Sequence, residues 1–342
     1  KIADGLVSAE LGQKKMEQAD IDYQKIVSDA KKKASEVIDQ AQQQSNSIVE
    51  DARVTAKKEA DKITYPASMT KIMTVYVVFD RIKNTSLSID DKCSVSAKAF
   101  RMGGSRMFLE REDRVTIDDL LRGIIIQSGN DASVAIAECL SGTEEDFALL
   151  MNSYANSLGL KNSNFINASG WPNDNHYSTV KDIMLVSEAL IRNFPDFYGY
   201  FKEKEFTYNN IRQLNRNVLL RRVDGSDGLK TGFTRNSGWG IATSAIREDR
   251  RIIVVINGTN SSRTRALESE TLINWAFRET TQKIILEKNQ IIKEVDTWLG
   301  SKPSVNLIVG NDVITTLSFD QLKTIKSDIE YEKSVSAPIK AG

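Results

Sequence analysis

Three short stretches of the chain carry residue types suited to acyl transfer. Ser68 and Lys71, in "PASMTKIM", stand three residues apart at what reads as a helix start, so both side chains leave one face. A serine hydroxyl is a poor nucleophile until a base removes its proton. The chain has a single histidine, His176, so a Ser-His-Asp arrangement would have to use it and nothing else. A lysine one turn away, once desolvated, can lose its proton near neutral pH and act as that base. The helix start also favours negative charge developing on Ser68. "QSGN" sets Ser128 and Asn130 two apart in a predicted loop, one able to relay a proton and the other to hold a substrate amide. "LKTGF" sets Lys230, Thr231 and Gly232 on a predicted strand, a cation and a hydroxyl suited to a carboxylate, with a glycine that admits another chain close to the backbone. Each motif alone has a plainer explanation: chance spacing, a helix cap, turn chemistry. The ordered set is far more specific.

The elements that must position these residues follow from periodicity. "YPASMTKIMTVYVVFDRI" has a helix-start proline and then apolar residues at helical spacing. "TIDDLLRGIIIQSGNDASVAIAECL" opens on a Thr116/Asp119 capping pair before an amphipathic helix. "STVKDIMLVSEALIRNF" repeats the pattern, with Ser178 or Thr179 as its cap. "DGLKTGFT", "GWGIATSAI" and "RRIIVVING" are expected as three strands joined by tight turns, and "ESETLINWAFRET" as a closing helix. Beyond about residue 285, "SVNLIVG" and "VITTLSF" fit a small β domain.

The bulk properties exclude several classes. With 46 basic and 46 acidic residues among 342, no global field draws the chain to nucleic acid or an anionic membrane. The apolar runs are too short to span a bilayer, and the first residues lack the apolar core of a secretory signal. Cys93 and Cys139 lie in unlike contexts, Cys139 on an expected buried helix face. Two buried free thiols are expected, a structural disulfide being the alternative. One histidine and two cysteines leave little from which to build a zinc site, and no metal or cofactor is expected.

The three motifs, with "GGSRMFLE", "NASGWPNDNHYSTVKD" and the stretches between them, resemble the serine penicillin-recognising enzymes. Within that group they are most similar to the low-molecular-mass penicillin-binding proteins, the D-alanyl-D-alanine carboxypeptidases, over roughly residues 65–342. The resemblance implies an α+β fold, helices packed on an antiparallel sheet, followed by a small β domain. It implies that Ser68 is acylated with Lys71 as base and that Ser128 and Asn130 line the opposite wall. Lys230 and Thr231 would bind the terminal carboxylate, helped by Arg265 and by Arg216 as a second candidate. The amides of Ser68 and Phe233, the residue after Gly232, would form the oxyanion hole. The implied reaction removes the terminal D-alanine from peptidoglycan stem pentapeptides, with β-lactams as covalent inhibitors and a periplasmic or extracytoplasmic site of action. Class A β-lactamases share the motifs but need a Glu-x-x-x-Asn pattern that Glu138, Glu144 and Glu145 do not supply, so slow covalent trapping by penicillin is expected. His176 is expected to be structural, and "EREDR" at 110–114 a solvated turn where the family commonly has Pro-Gly-Asp.

The first 63 residues differ in kind. Ala30, Ala41, Ala52 and Ile63 recur every eleven residues, as do Ile26, Val37, Ile48 and Val27, Ile38, Val49. Eleven residues make three turns at about 3.67 per turn, which favours a straight or slightly right-handed pairing of helices. With its start "KIADGLVSAE" and the Ala-rich stretch that follows, this segment resembles the soluble, cytoplasmic stalk of the F-type ATP synthase b subunit, implying helix pairing through 13–63 with a second copy or a stalk partner. The domains expected are thus 1–63, 64–282 and 283–342. The segment stands where the carboxypeptidases have an N-terminal hairpin of their central sheet, so that hairpin is expected to be missing. "RRIIVVING" would then be an exposed edge, and the β domain and membrane anchor would be incomplete. The alternative function is a chimeric or degenerate chain that serves only as a helical dimerisation module.

Overall fold

The computed structural model describes residues 59–248, 250–298, 302–324 and 334–336. The paired helix expected over 1–63 therefore lies, but for its last five residues, outside the described residues.

From Pro66 the chain makes one 3₁₀ turn, Ala67–Thr70, and passes directly into α1 (Lys71–Asn84). Every residue of α1 from Lys71 to Phe79 is buried, so this helix is the axis of the domain. Around it stand β1 (Lys92–Ser94), α2 (Ala97–Arg101), β2 (Arg114–Thr116) and α3 (Ile117–Arg122). Thr116 caps α3 as expected, its hydroxyl accepting the Asp119 N–H at 3.1 Å. The helix runs on through a π turn, Gly123–Gln127, and stops at Ser128 in the left-handed conformation, φ 66°. α4 (Asn130–Ser141), α5 (Glu144–Ser157) and α6 (Val180–Asn193) complete the helical layer. Of the two candidate caps of α6, Thr179 takes the role, accepting the Asp182 N–H at 3.0 Å.

After a hairpin, β3 (Glu205–Tyr208) and β4 (Ile211–Leu214), come the three expected strands, β5 (Ser226–Thr234), β6 (Gly238–Arg247) and β7 (Arg250–Thr259). They form an antiparallel sheet in the order β5-β6-β7. Alternation on β6 divides the interior. Ala242 faces the helical core with Ile72, Val75 and Ile136, whereas Ile241 and Ala245 face Ala266 and Ile273 of α7 (Ser262–Glu279). Among the described residues no strand pairs with the outer edge of β7, yet Arg251–Asn257 are half-buried rather than the exposed edge expected.

The cysteines correct the reading of two free thiols. Cys93 and Cys139 are joined as a disulfide, with Cα atoms 5.4 Å apart. Cys93 is the inward side chain of β1, whereas Cys139 lies on the exposed side of α4, not on its buried face. The short β1 runs along that side of the helix and brings the two together.

The chain then builds a small β domain from β8 (Thr280–Leu286), β9 (Ile291–Trp298), β10 (Ser304–Ile308), β11 (Val313–Ser318), α8 (Phe319–Thr324) and β12 (Ser334–Ser336). β8 pairs with β11, and β9 lies between β10 and β12. Among the described residues no helix is long and apolar enough to cross a membrane.

Candidate active site

The site forms where the 3₁₀ turn at the head of α1, the start of α4 and the strand β5 converge on a cavity of about 880 Å³. Ser68, Asn130, Arg216 and Phe233 line it. Gly232 is what lets β5 come so close to the turn that carries Ser68. A Cβ there would lie 2.9 Å from the Pro66 carbonyl oxygen and 3.3 Å from Ala67 Cβ, so no larger residue fits.

Lys71 is fully buried, and its Nζ lies 3.0 Å from Ser68 Oγ, 2.7 Å from Asn130 Oδ1 and 2.6 Å from the Ser169 carbonyl oxygen. Loss of hydration lowers its pKa to about 7; the positive charge of Arg216 adds to this, while Asp131 and Glu144 oppose it. The three contacts then fix where the lone pair points. Asn130 Oδ1 and the Ser169 carbonyl can only accept, so the two N–H bonds of the neutral amine go to them. The lone pair is left facing the Ser68 hydroxyl, which is the geometry of a general base.

Asn130 is itself held: its Nδ2 donates to the Gly103 carbonyl at 2.9 Å and its backbone N–H to the Ser105 carbonyl at 2.7 Å. Ser128 is buried, and its hydroxyl has no hydrogen-bond partner among the described residues. On the β5 side Lys230 is buried, with one long hydrogen bond, 3.4 Å to the Thr231 carbonyl. Burial, and then the charges of Lys71, Arg216 and Arg265, hold its pKa well below the ordinary lysine value. Thr231 is buried beside it. Arg265 is buried over the Trp239 ring, 5.4 Å from its centroid, and Trp239 stacks on Phe233. Burial, with Arg216 adding to it, lowers the Arg265 pKa to about 10, which leaves it charged at neutral pH. Arg216 donates to the Gln127 carbonyl at 2.9 Å, tying it to the turn before Ser128.

Of the sequence-derived candidates, Ser68, Asn130, Arg216 and Phe233 line the cavity and Lys71 joins them through Ser68 and Asn130, while Ser128, Lys230, Thr231, Gly232 and Arg265 lie outside its lining. The sequence marked the stretch 167–182 but did not disclose that the Ser169 carbonyl holds Lys71. Nor did it disclose the work of Asp131. Its carboxylate accepts backbone N–H groups from Met107, Phe108 and Leu109, fixing the loop that carries Gly103 and Ser105. A carbonyl has no side-chain signature; the acidic residue directly after Asn130 was the available signal for the second.

Two family models match the chain. One described as D-alanyl-D-alanine carboxypeptidase covers residues 30–261, and one described as the C-terminal domain of penicillin-binding protein 5 covers residues 281–342. The first reaches back to residue 30, into the segment for which an ATP synthase stalk was expected, and these matches give that expectation no support. The D-alanyl-D-alanine carboxypeptidase DacC of Escherichia coli is 40% identical over 300 residues, covering 85% of this chain and 74% of that one. Penicillin-binding protein 5 from Haemophilus influenzae superposes with a TM-score of 0.75 at 36% identity, over 82% of this chain and 83% of that one. Penicillin-binding protein D2 from Listeria monocytogenes, solved in an ampicillin-bound form, has a TM-score of 0.58 at 30% identity, over 64% of this chain and 89% of that one.

Proposed function

The chain belongs to the D-alanyl-D-alanine carboxypeptidase family, and from that premise we propose how its residues divide the reaction. It is a serine carboxypeptidase and penicillin-binding protein that removes the terminal D-alanine from peptidoglycan stem pentapeptides through an acyl-enzyme. Lys71 takes the Ser68 proton, and Oγ attacks the carbonyl between the two D-alanines. The oxyanion is held by the amides of Ser68 and Phe233, which the close approach at Gly232 brings together. Lys71, now an ammonium, returns the proton to the departing amine of D-alanine through the free hydroxyl of Ser128. Water then hydrolyses the ester with Lys71 again as base. Lys230, Thr231 and Arg265 hold the terminal carboxylate, and Arg216 supports them.

The observation that carries this reading is the buried Lys71 with its Nζ 3.0 Å from Ser68 Oγ and its pKa lowered by burial to about 7. β-Lactams acylate Ser68 by the same attack. Glu138, Glu144 and Glu145 lie off the cavity lining, Glu144 being engaged by Lys98 and the Ala168 N–H, so the adduct turns over slowly. Incubation with a fluorescent penicillin followed by denaturing electrophoresis tests the assignment. Wild type is expected to carry label and Ser68→Ala none; unlabelled wild type or equal labelling of both overturns it.

The substrate class places the enzyme outside the cytoplasm, and the Cys93–Cys139 disulfide supports an oxidising compartment. Helix pairing through 13–63 rests on the eleven-residue repeat alone. Sedimentation of the full chain beside a truncation starting at Thr64 tests it, a concentration-dependent dimer being expected only for the former.

A further inference from the structure

The loop 166–176 meets the nucleophile turn at three points. The Ser169 carbonyl holds Lys71 Nζ at 2.6 Å. Gly170, at φ +76°, lies so close that a Cβ on it would stand 1.8 Å from the Ala67 carbonyl oxygen. The third point is His176, which is buried and lines the catalytic cavity. Its Nδ1 accepts the Ile166 N–H at 3.1 Å, and its Nε2 lies 2.8 Å from Thr70 Oγ1. A neutral imidazole carries one proton, and an Nδ1 that accepts cannot hold it. The proton is on Nε2, which donates to Thr70. Burial, and secondarily the charge of Lys71, lower the pKa of His176 to about 4, so this tautomer persists throughout the working range.

Thr70 stands between Ser68 and Lys71, and the turn it closes is strained. Ala67 sits at φ 49°, in the left-handed region that alanine occupies only where its surroundings hold it there. The loop that holds it is itself fixed, Asn167 Oδ1 accepting the N–H groups of Gly170 at 2.8 Å and Trp171 at 2.9 Å.

We infer that His176 is a positioning residue for acylation: by donating to Thr70 it fixes the turn that sets the distance from Ser68 to Lys71. The inference rests on the proposed roles of those two residues. It is distinct from a space-filling role, which would ask only for a ring of similar volume against Phe165.

Asparagine and glutamine separate the two ring contacts. His176→Asn keeps an acceptor near the Nδ1 position for Ile166 but stops short of Thr70, whereas His176→Gln carries a donor out toward the Nε2 position. The acylation rate constant of the full chain with a chromogenic penicillin is the primary readout, with the penicillin dissociation constant and melting temperature measured alongside. His176→Asn is expected to slow acylation about tenfold or more, as a misplaced nucleophile does, with the other two quantities near wild type. His176→Gln recovers most of the rate. Thr70→Val, which keeps the side-chain shape, gives a similar loss, and combining it with His176→Asn adds little. An asparagine variant that acylates at the wild-type rate, or losses that multiply in the double variant, overturns the inference. If the asparagine variant does not fold, Thr70→Val decides alone: a wild-type rate overturns the inference and a tenfold loss supports it. Failure of the nucleophile assignment is a different result, an unlabelled wild type or a labelled Ser68→Ala.

Discussion

Lys71 and Lys230 lie on the two walls of one site, each with its amine withdrawn from water. The protein has completed the surroundings of the first and left those of the second open. Lys71 has three partners within 3.0 Å, two of them acceptors held by further contacts of their own. Lys230 has one hydrogen bond at 3.4 Å and cations around it. Arg265 keeps its Nε without a partner, and so does the Ser128 hydroxyl. Burying polar groups unpaired is costly, and beside a cavity such groups are candidates for ligand contacts. On the proposed roles, one wall is finished machinery and the other a mould for an anion.

Changing each wall in turn can break that contrast. The largest loss is expected for Lys71→Arg, which puts a permanent cation where a neutral base is required. Formation of the penicilloyl adduct should fall about 100-fold or more, the usual weight of a general base. In the wild type the same rate should fall about tenfold per pH unit below about pH 7, because protonated Lys71 cannot take the serine proton. A flat profile from pH 5 to 8 would remove Lys71 from the role. Lys230→Met comes next, with a rise of roughly 10- to 100-fold in KM for peptides ending in a free carboxylate, the weight of a charge-assisted hydrogen bond. Peptides with an amidated C-terminus should show little change; equal losses for both would mean that the second wall is not an anion mould. Arg265→Gln should act in the same sense but more weakly, about tenfold in KM, since its guanidinium lies against Trp239. The smallest effect is a proton count. A carboxylate beside Lys230 raises its depressed pKa, so binding takes up protons. Calorimetry of Ser68→Ala with an acyl-D-Ala-D-Ala peptide, in two buffers of different ionisation heat, should detect uptake of a fraction of a proton, and release would contradict the sign.

The finished wall and the open one differed in how far the sequence disclosed them. Lys230, Thr231 and Gly232 are contiguous on one strand, so their types and order were enough. Ser68 and Lys71 are close by helical geometry alone. The loop 166–176 is nearly a hundred residues from Lys71, and it acts through a carbonyl, a glycine's missing side chain and a ring whose proton is placed by a backbone amide. The stretch "NASGWPNDNHYSTVKD" stood out in the chain, but nothing in it says which of these contacts it makes. The cysteines show the same limit: their 46-residue separation gave no reason to pair them, and the inward register of β1 against the outer side of α4 did so. The helices and strands were legible because alternation and caps are local, as at Thr116 and Thr179.

Burying Lys71 also affects the stability of the fold. The unfolded chain binds a proton at Lys71 below about pH 10.5, whereas the folded chain binds it only below about pH 7. Between those values the unfolded state holds more protons, so stability rises with pH across that window. Above it both states are neutral and the penalty vanishes; below it the penalty is complete, on the order of several kcal/mol. Denaturant titrations of wild type and Lys71→Met from pH 7 to 10 should therefore diverge in slope, the wild type gaining stability with alkalinity that the variant does not. An equal slope would mean that the lysine is charged in the folded enzyme. The residue proposed to make the serine reactive is thus also the one whose burial loosens the fold as the pH falls from about 10.5 to about 7.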